Sequence, residues 1–187
     1  MPLLKEYHEL KLDALSEDNV EQAREQRNKT LKSLRTPYHL TEEMQRNFYK
    51  EVVCNSSANS RYYAIKERSQ GGNWNFMGMG GFIPIQWENR CAEISLLILE
   101  SSQGKGFGEK SVLLLLEEAF DRLNLNMVYG ECYASNPAGL KFWTDIASKY
   151  HFYATQLPER KYFNGRYHHS LYFSINKNCW ERLKGNK

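Results

Sequence analysis

The chain has 187 residues, a length suited to one domain, and 41% of them are hydrophobic with 13% aromatic, which excludes a disordered chain. No apolar run approaches the ~20 residues of a membrane span; the longest, Val112–Leu116, is followed by Glu117 and Glu118. Lysine and arginine number 25 against 22 aspartates and glutamates, a net charge of +3 that suits an anionic ligand but not a nucleic-acid duplex. The cysteines, Cys54, Cys91, Cys132 and Cys179, include no Cys-x-x-Cys pair, which argues against a metal site. Met1–Glu6 lacks the basic start and apolar stretch of an export signal, so reduced thiols and a cytoplasmic location are expected.

In chain order, Ser16 is a candidate N-cap for a polar helix over 16–27, with Glu17 and Asp18 in its first turn. Thr41 caps a second helix, in which Met44, Phe48 and Val52 fall on one face. Strands follow at Arg61–Lys66 and at Asn75–Trp87, the latter bent near Pro84, and Asn89-Arg90 forms a turn. Cys91–Leu99 is the next strand, its second half almost wholly apolar, as when both faces are covered. A glycine-rich loop, Ser101–Gly108, leads into a helix from about 107 to 123 with a stripe of Val112, Leu115, Leu116, Ala119, Phe120 and Leu123. Met127–Tyr133 is a strand. Asn136-Pro137 opens a helix to about Ser148. Strands near Tyr150–Thr155 and Tyr167–Ile175, with Asn164-Gly165 in the turn before the last, complete a mixed α/β domain.

Gln103-Gly104-Lys105-Gly106-Phe107-Gly108 carries the most information. Glycines between an apolar strand and the N-terminus of an amphipathic helix make a phosphate cradle, because the helix presents unpaired N–H groups and a partial positive charge. The segment is not a P-loop, since Glu109 precedes Lys110-Ser111 where a glycine is required, and its Gly-x-Gly-x-Gly spacing is not the dinucleotide fingerprint. Gln103, Gly106 and Gly108 do fit Gln/Arg-x-x-Gly-x-Gly/Ala. About thirty residues later come a strand, Asn136, and a helix bearing Phe142-Trp143.

From about Arg61 to Ile175 the chain thus resembles the GCN5-related N-acetyltransferase (GNAT) superfamily. The resemblance implies one acyl-CoA N-acyltransferase domain over 1–187. Its mixed, mostly antiparallel sheet would be splayed between the family's fourth and fifth strands and flanked by helices. Acetyl-CoA would be the co-substrate, its pantetheine arm pairing with Leu96, Leu97 and Ile98 as an added strand. A backbone N–H there would stabilise the oxyanion. Gln103, Gly104, Lys105, Gly106, Phe107, Gly108 and Glu109 would form the pyrophosphate loop, with side chains at Gly106 and Gly108 blocking it. Asn136 would contact the cofactor, or cap its helix, or both.

Two carboxylates stand where the family places a proton acceptor for the attacking amine. Glu131 is favoured over Glu93; each could instead be a strand-end partner of a basic residue. The family's tyrosine acid, seven residues after the asparagine, is replaced by Trp143, whose indole is no acid at neutral pH. That residue would pack against the cofactor or the core, leaving thiolate protonation to a nearby tyrosine or water. His168 and His169 carry less weight, since at most one of two adjacent strand residues faces a site. Arg27-Asn28, Leu34-Arg35 and Thr41–Gln45 resemble the N-terminal segment of members that acetylate nucleotide-linked amino sugars. The expected activity is therefore direct acetyl transfer to a primary amine on a small molecule such as an amino sugar. The alternatives are a protein N-terminus or lysine, as in ribosomal-protein acetylating members, and a non-catalytic acyl-CoA-binding module. No nucleic acid, membrane or metal is implied, and a homodimer is compatible with the family.

Overall fold

The first helix, α1 (Glu17–Lys29), starts where its capping residues predict: Ser16 Oγ accepts from the Asn19 amide at 3.2 Å and Asn19 Oδ1 accepts from the Ser16 amide at 3.3 Å. A computed structural model describes residues 9–35 and 37–185. The other elements are β1 (Leu10–Asp13), α2 (Glu42–Phe48), β2 (Arg61–Arg68), β3 (Trp74–Gln86), β4 (Cys91–Ile98), α3 (Phe107–Glu117), β5 (Met127–Tyr133), α4 (Pro137–Lys149), β6 (Tyr153–Phe163), β7 (Arg166–Asn176) and α5 (Lys177–Gly185). The strands form one seven-stranded sheet in the order β1-β2-β3-β4-β5-β7-β6. Every neighbouring pair is antiparallel except β4 with β5.

Strand alternation divides the sheet into two faces. On one, Ala64 and Met79 pack with Leu15, Val20 and Ala23, where α1 lies with Phe48 and Tyr49. On the other, α3 lays its fully buried Val112, Leu115 and Leu116 against Phe82, Ile85 and Ile94, with Ile146 of α4 and Trp180 of α5 closing the cluster. Burying such side chains contributes about 1.5–3 kcal/mol each, so this second face is the main core.

Several expectations change at element level. Of the stripe Met44–Phe48–Val52, only Phe48 packs on the core. Met44 is exposed, while Gln45 is buried with its Nε2 donating to the Val20 carbonyl at 2.9 Å. A π-helical turn over Tyr49–Val53 inserts a residue, so Tyr49 and Val53 join Phe48 on the inner side. The helix expected to run to about 123 likewise passes into a π-helical turn at Glu118–Arg122. Tyr150 is the C-cap of α4, not the start of a strand, and β6 extends to Phe163 past an irregularity between Leu157 and Lys161. Asn164 and Gly165, both at positive φ, close the β6–β7 hairpin as predicted. Pattern reading missed β1 and α5.

Candidate active site

Strands β4 and β5 pair only at Cys91–Met127, Ala92–Val128 and Glu93–Tyr129. Beyond Glu93 they part, β4 staying with β3 and β5 with β7. A cavity of about 380 Å³ occupies the split, lined from β4 by Glu93, Ile94, Ser95 and Leu96 and from β5 by Glu131, Cys132 and Tyr133. Arg27, Ser33–Arg35 and Tyr62 wall it on the α1 face, and Asn136, Trp143 and Phe173 on the α4 side.

The split exposes a backbone edge. The Leu99 amide donates to the Met77 carbonyl at 2.8 Å, which fixes the alternation of the β3–β4 ladder. Leu97, two residues back and opposite Met79, turns its backbone groups toward β3, while those of Leu96 and Ile98 face the open side. Of the three residues expected to pair with pantetheine, two present the needed edge and Leu97 does not. The Ile98 carbonyl accepts from Gln103 Nε2 at 2.9 Å, so the first residue of the glycine motif anchors the loop to this edge.

Gly106 is the N-cap of α3, with φ 77° and no side-chain cap. The N–H groups of the first turn are therefore not capped by a side chain and carry the positive end of the helix dipole. A Cβ on Gly106 would meet nothing within 4 Å, so glycine serves there for its left-handed backbone. At Gly108 a Cβ would lie 3.0 Å from the ring of Phe142, so this glycine also permits α3 to pack on α4. Phe107 is buried in the core rather than displayed in the loop. Lys105 lies in the exposed turn. The Glu109 side chain accepts from Lys149 at 2.6 Å and from the Tyr150 hydroxyl. Burial alone would raise its pKa, but these donors hold the carboxyl below the usual glutamate value.

Both glutamates line the cavity, and both are paired with arginine. Arg35 takes both oxygens of Glu93, with Nη1 to Oε2 at 3.2 Å. Glu131 uses Oε1 for both of its bonds, accepting from Arg160 Nε at 3.1 Å and Ser170 Oγ at 2.5 Å. Its Oε2 accepts nothing from the described residues. Burial works to raise the Glu131 pKa, but the bonds from Arg160 and Ser170 and the nearby Arg35 outweigh it and keep the carboxyl ionised below its ordinary range. Glu131 thus retains a free oxygen for a substrate proton or water, and Glu93 does not.

Asn136 caps α4, its Oδ1 accepting from the Gly139 amide at 3.0 Å, and also lines the cavity. Trp143 stacks on Phe173 with ring centroids 4.2 Å apart and meets Phe142 edge-on. Such stacking contributes about 0.5–1.5 kcal/mol. We therefore expect Trp143→Phe to lower stability by about 1 kcal/mol in urea unfolding, and Trp143→Tyr to leave kcat without a tenfold gain. His168 bonds to the Phe163 carbonyl through its ring at 3.2 Å and His169 is exposed; neither lines the cavity. Tyr62 and Tyr133 are the phenols that do, both with pKa raised chiefly by burial, so each keeps its proton.

Sequence reasoning missed Lys161. This buried lysine donates to the carbonyls of Leu34 at 2.6 Å and Lys32 at 3.2 Å, and to Ser135 Oγ at 3.2 Å. It ties the segment carrying Arg35 to β6 and to the turn before α4. Burial lowers its pKa. Lys161→Met should cost about 1–3 kcal/mol in urea unfolding, because the carbonyls lose their donor, and should raise KM for the amine more than for the cofactor. In the sequence Lys161 lies beyond the strand expected near Tyr150–Thr155, with nothing to tell it from a solvated lysine.

The model of the family described as "Acetyltransferase (GNAT) domain" matches residues 9–145. The chain belongs to the GNAT acetyltransferase family. A curated relative, the spermidine N(1)-acetyltransferase of Vibrio cholerae, is 25% identical over 131 residues, 70% of each chain. A crystal structure of the Vibrio cholerae spermidine N-acetyltransferase with CoA and spermine matches at TM-score 0.78 and 22% identity, covering 92% of this chain and 98% of that one. A dodecameric structure of the same Vibrio cholerae enzyme matches at TM-score 0.73 and 23% identity, covering 92% and 96%. These structural likenesses establish the fold. This GNAT chain is an acetyl-CoA-dependent N-acetyltransferase, and the residues present fit that co-substrate. The Leu96 backbone groups and the Ile98 amide face the open side, the first turn of α3 has no side-chain cap, and open space surrounds Gly104 and Gly106. Among the described residues no group of His, Cys, Asp or Glu could hold a metal ion, and no helix is long and apolar enough to cross a membrane.

Proposed function

We propose that the enzyme acetylates a primary amine on a small molecule bound in the cavity between β4 and β5. The observation that carries this reading is the wall that Ser33–Arg35 forms on the cavity's α1 face. Arg35 grips Glu93 of β4, and the Leu34 carbonyl is held by Lys161 of β6. A space of about 380 Å³, shared with the end of the cofactor arm at Leu96, is of the size that takes a small ligand. The spermidine-acting relative supports the same class of acceptor; an amino sugar is a narrower member of it. Thiol release from acetyl-CoA, with mass spectrometry of the products, across small amines and peptide N-termini tests the assignment. Acetylation of peptides alone would refute it.

Acetyl-CoA supplies an activated acyl group. On this reading, the backbone groups of Leu96 and the Ile98 amide bind its arm, Gln103 holding the Ile98 carbonyl, and the amides of Gly104–Glu109 receive its pyrophosphate. Asn136 contributes at the start of α4. Glu131 Oε2 accepts the amine's proton, directly or through water, and Arg160 with Ser170 keeps the carboxylate oriented. Cys132 lines the cavity, but burial pushes its thiol up to about 11. A neutral thiol is a poor acyl carrier, which favours direct transfer in a ternary complex. Because Glu131 is ionised below the ordinary glutamate value, kcat/KM should show no acid limb from this group near neutrality. It should rise with pH until the acceptor amine is deprotonated, and a pH–rate profile checks this. Assembly as a homo-oligomer follows the dodecameric neighbour and is read by light scattering.

A further inference from the structure

Of the cavity's charged lining residues, Arg27, Arg35, Glu93 and Glu131, only Arg27 lacks an ion-pair partner among the described residues. Glu93 is matched by Arg35, and Glu131 by Arg160. That leaves Arg27, in the last turn of α1, as a lining cation with no carboxylate within ion-pair reach among the described residues. Its Nε is a buried donor with no hydrogen-bond partner. Nε itself is covered, so a ligand in the cavity would meet this guanidinium through its Nη groups, which make no hydrogen bond to the described residues. Arginine is suited to the task, because its planar fork matches an oxyanion.

Arg27 lies in the last turn of α1, which packs on the Ala64–Met79 face of the sheet, whereas the body of α3 packs on the opposite face. Its neighbour Gln26 accepts from the Glu100 amide at 3.1 Å, so the approach to the glycine loop is close by, and the CoA affinity of an Arg27 variant decides between acceptor and cofactor phosphates. The residues sharing its wall are Ser33, Arg35 and Tyr62, beside Glu93. Resting on the small-molecule reading above, we propose that the acceptor carries an oxyanion, a carboxylate or a phosphate, besides its amine, and that Arg27 binds it while Glu131 faces the amine. A polycation meets an unfavourable charge on this wall. The acceptor class therefore departs from that of the spermidine-acting relative.

The test uses matched acceptors on the unaltered protein. An amino acid is compared with its amide, glucosamine 6-phosphate with glucosamine, and spermidine stands as the cationic case. The anionic member of at least one pair should have the higher kcat/KM by about ten- to a hundredfold, the range of a hydrogen bond to a charged group. The pair that responds tells carboxylate from phosphate. Arg27→Gln should erase that preference through KM, leave Kd for CoA unchanged and barely alter the neutral partner; Arg27→Lys should restore part of it. Small amines acetylated with no preference for an anion, or with spermidine best, overturn the proposal and leave the small-molecule reading standing. Weakened CoA binding in Arg27→Gln with acceptor KM unchanged also overturns it, by assigning Arg27 to the cofactor. Acetylation of peptides only removes both.

Discussion

Glu131→Gln should lower kcat at pH 7 by roughly 10²–10⁴-fold, the range for loss of a general base, while circular dichroism stays unchanged. The amide oxygen of glutamine can still accept from Ser170 and Arg160, so the bonds at Oε1 have a replacement. What disappears is the basic oxygen, which accepts nothing from the described residues. The defect should shrink at high pH, where the amine is already neutral. Glu93→Gln should act differently. It breaks the charged grip of Arg35 on β4 and so disturbs the Ser33–Arg35 wall, raising acceptor KM more than it lowers kcat. Full activity at pH 7 in both variants would show that solvent takes the proton.

Gly106→Val should raise Kd for CoA by about a hundredfold or more, the equivalent of losing two charge-assisted hydrogen bonds from the loop amides. Its backbone sits at φ 77°, where a β-branched residue is strained by about 1–3 kcal/mol. Since its Cβ meets no protein atom, the strain is relieved by turning the peptide, which re-aims the first amides of α3. Gly108→Ala offers the contrast. Its methyl would press on Phe142 at 3.0 Å, offsetting the ~1 kcal/mol that alanine gains over glycine in a helix, so stability changes by no more than about 1 kcal/mol while the loop backbone stays in place and CoA affinity is kept. Calorimetry with CoA alongside thermal unfolding separates the two effects.

The parts legible in the sequence were those with local signatures. Ser16 and Thr41 cap their helices through side-chain bonds, Asn136 does so for α4, and Asn164-Gly165 makes its turn. The glycine motif stands between an apolar strand and a core-facing helix. Elements that depend on distant partners escaped. Strand β1 has only four residues and draws its order from pairing with β2. In α5 a single fully buried residue, Trp180, docks the helix, too sparse a stripe for periodicity to find. Past Phe48 the inner side passes from Val52 to Val53 because a π-helical turn breaks the 3.6-residue period. At the site, Glu93 and Glu131 could be named from position alone. Their unequal standing could not, because it depends on Arg35 and Arg160, 58 and 29 residues away respectively. Gly108 matched its motif, yet the phenyl ring that a side chain there would meet lies on another helix.

The claim on which the rest depends is that the cofactor lies along the free edge of β4 in the split from β5. Amide-resolved NMR of the full chain titrated with CoA tests it directly. The account predicts slowed hydrogen exchange and large shifts at the amides of Leu96, Ile98 and Gly106–Glu109. Leu97, already turned toward β3, should show little further protection. Saturable CoA binding that leaves Leu96, Ile98 and the first turn of α3 unchanged would contradict it.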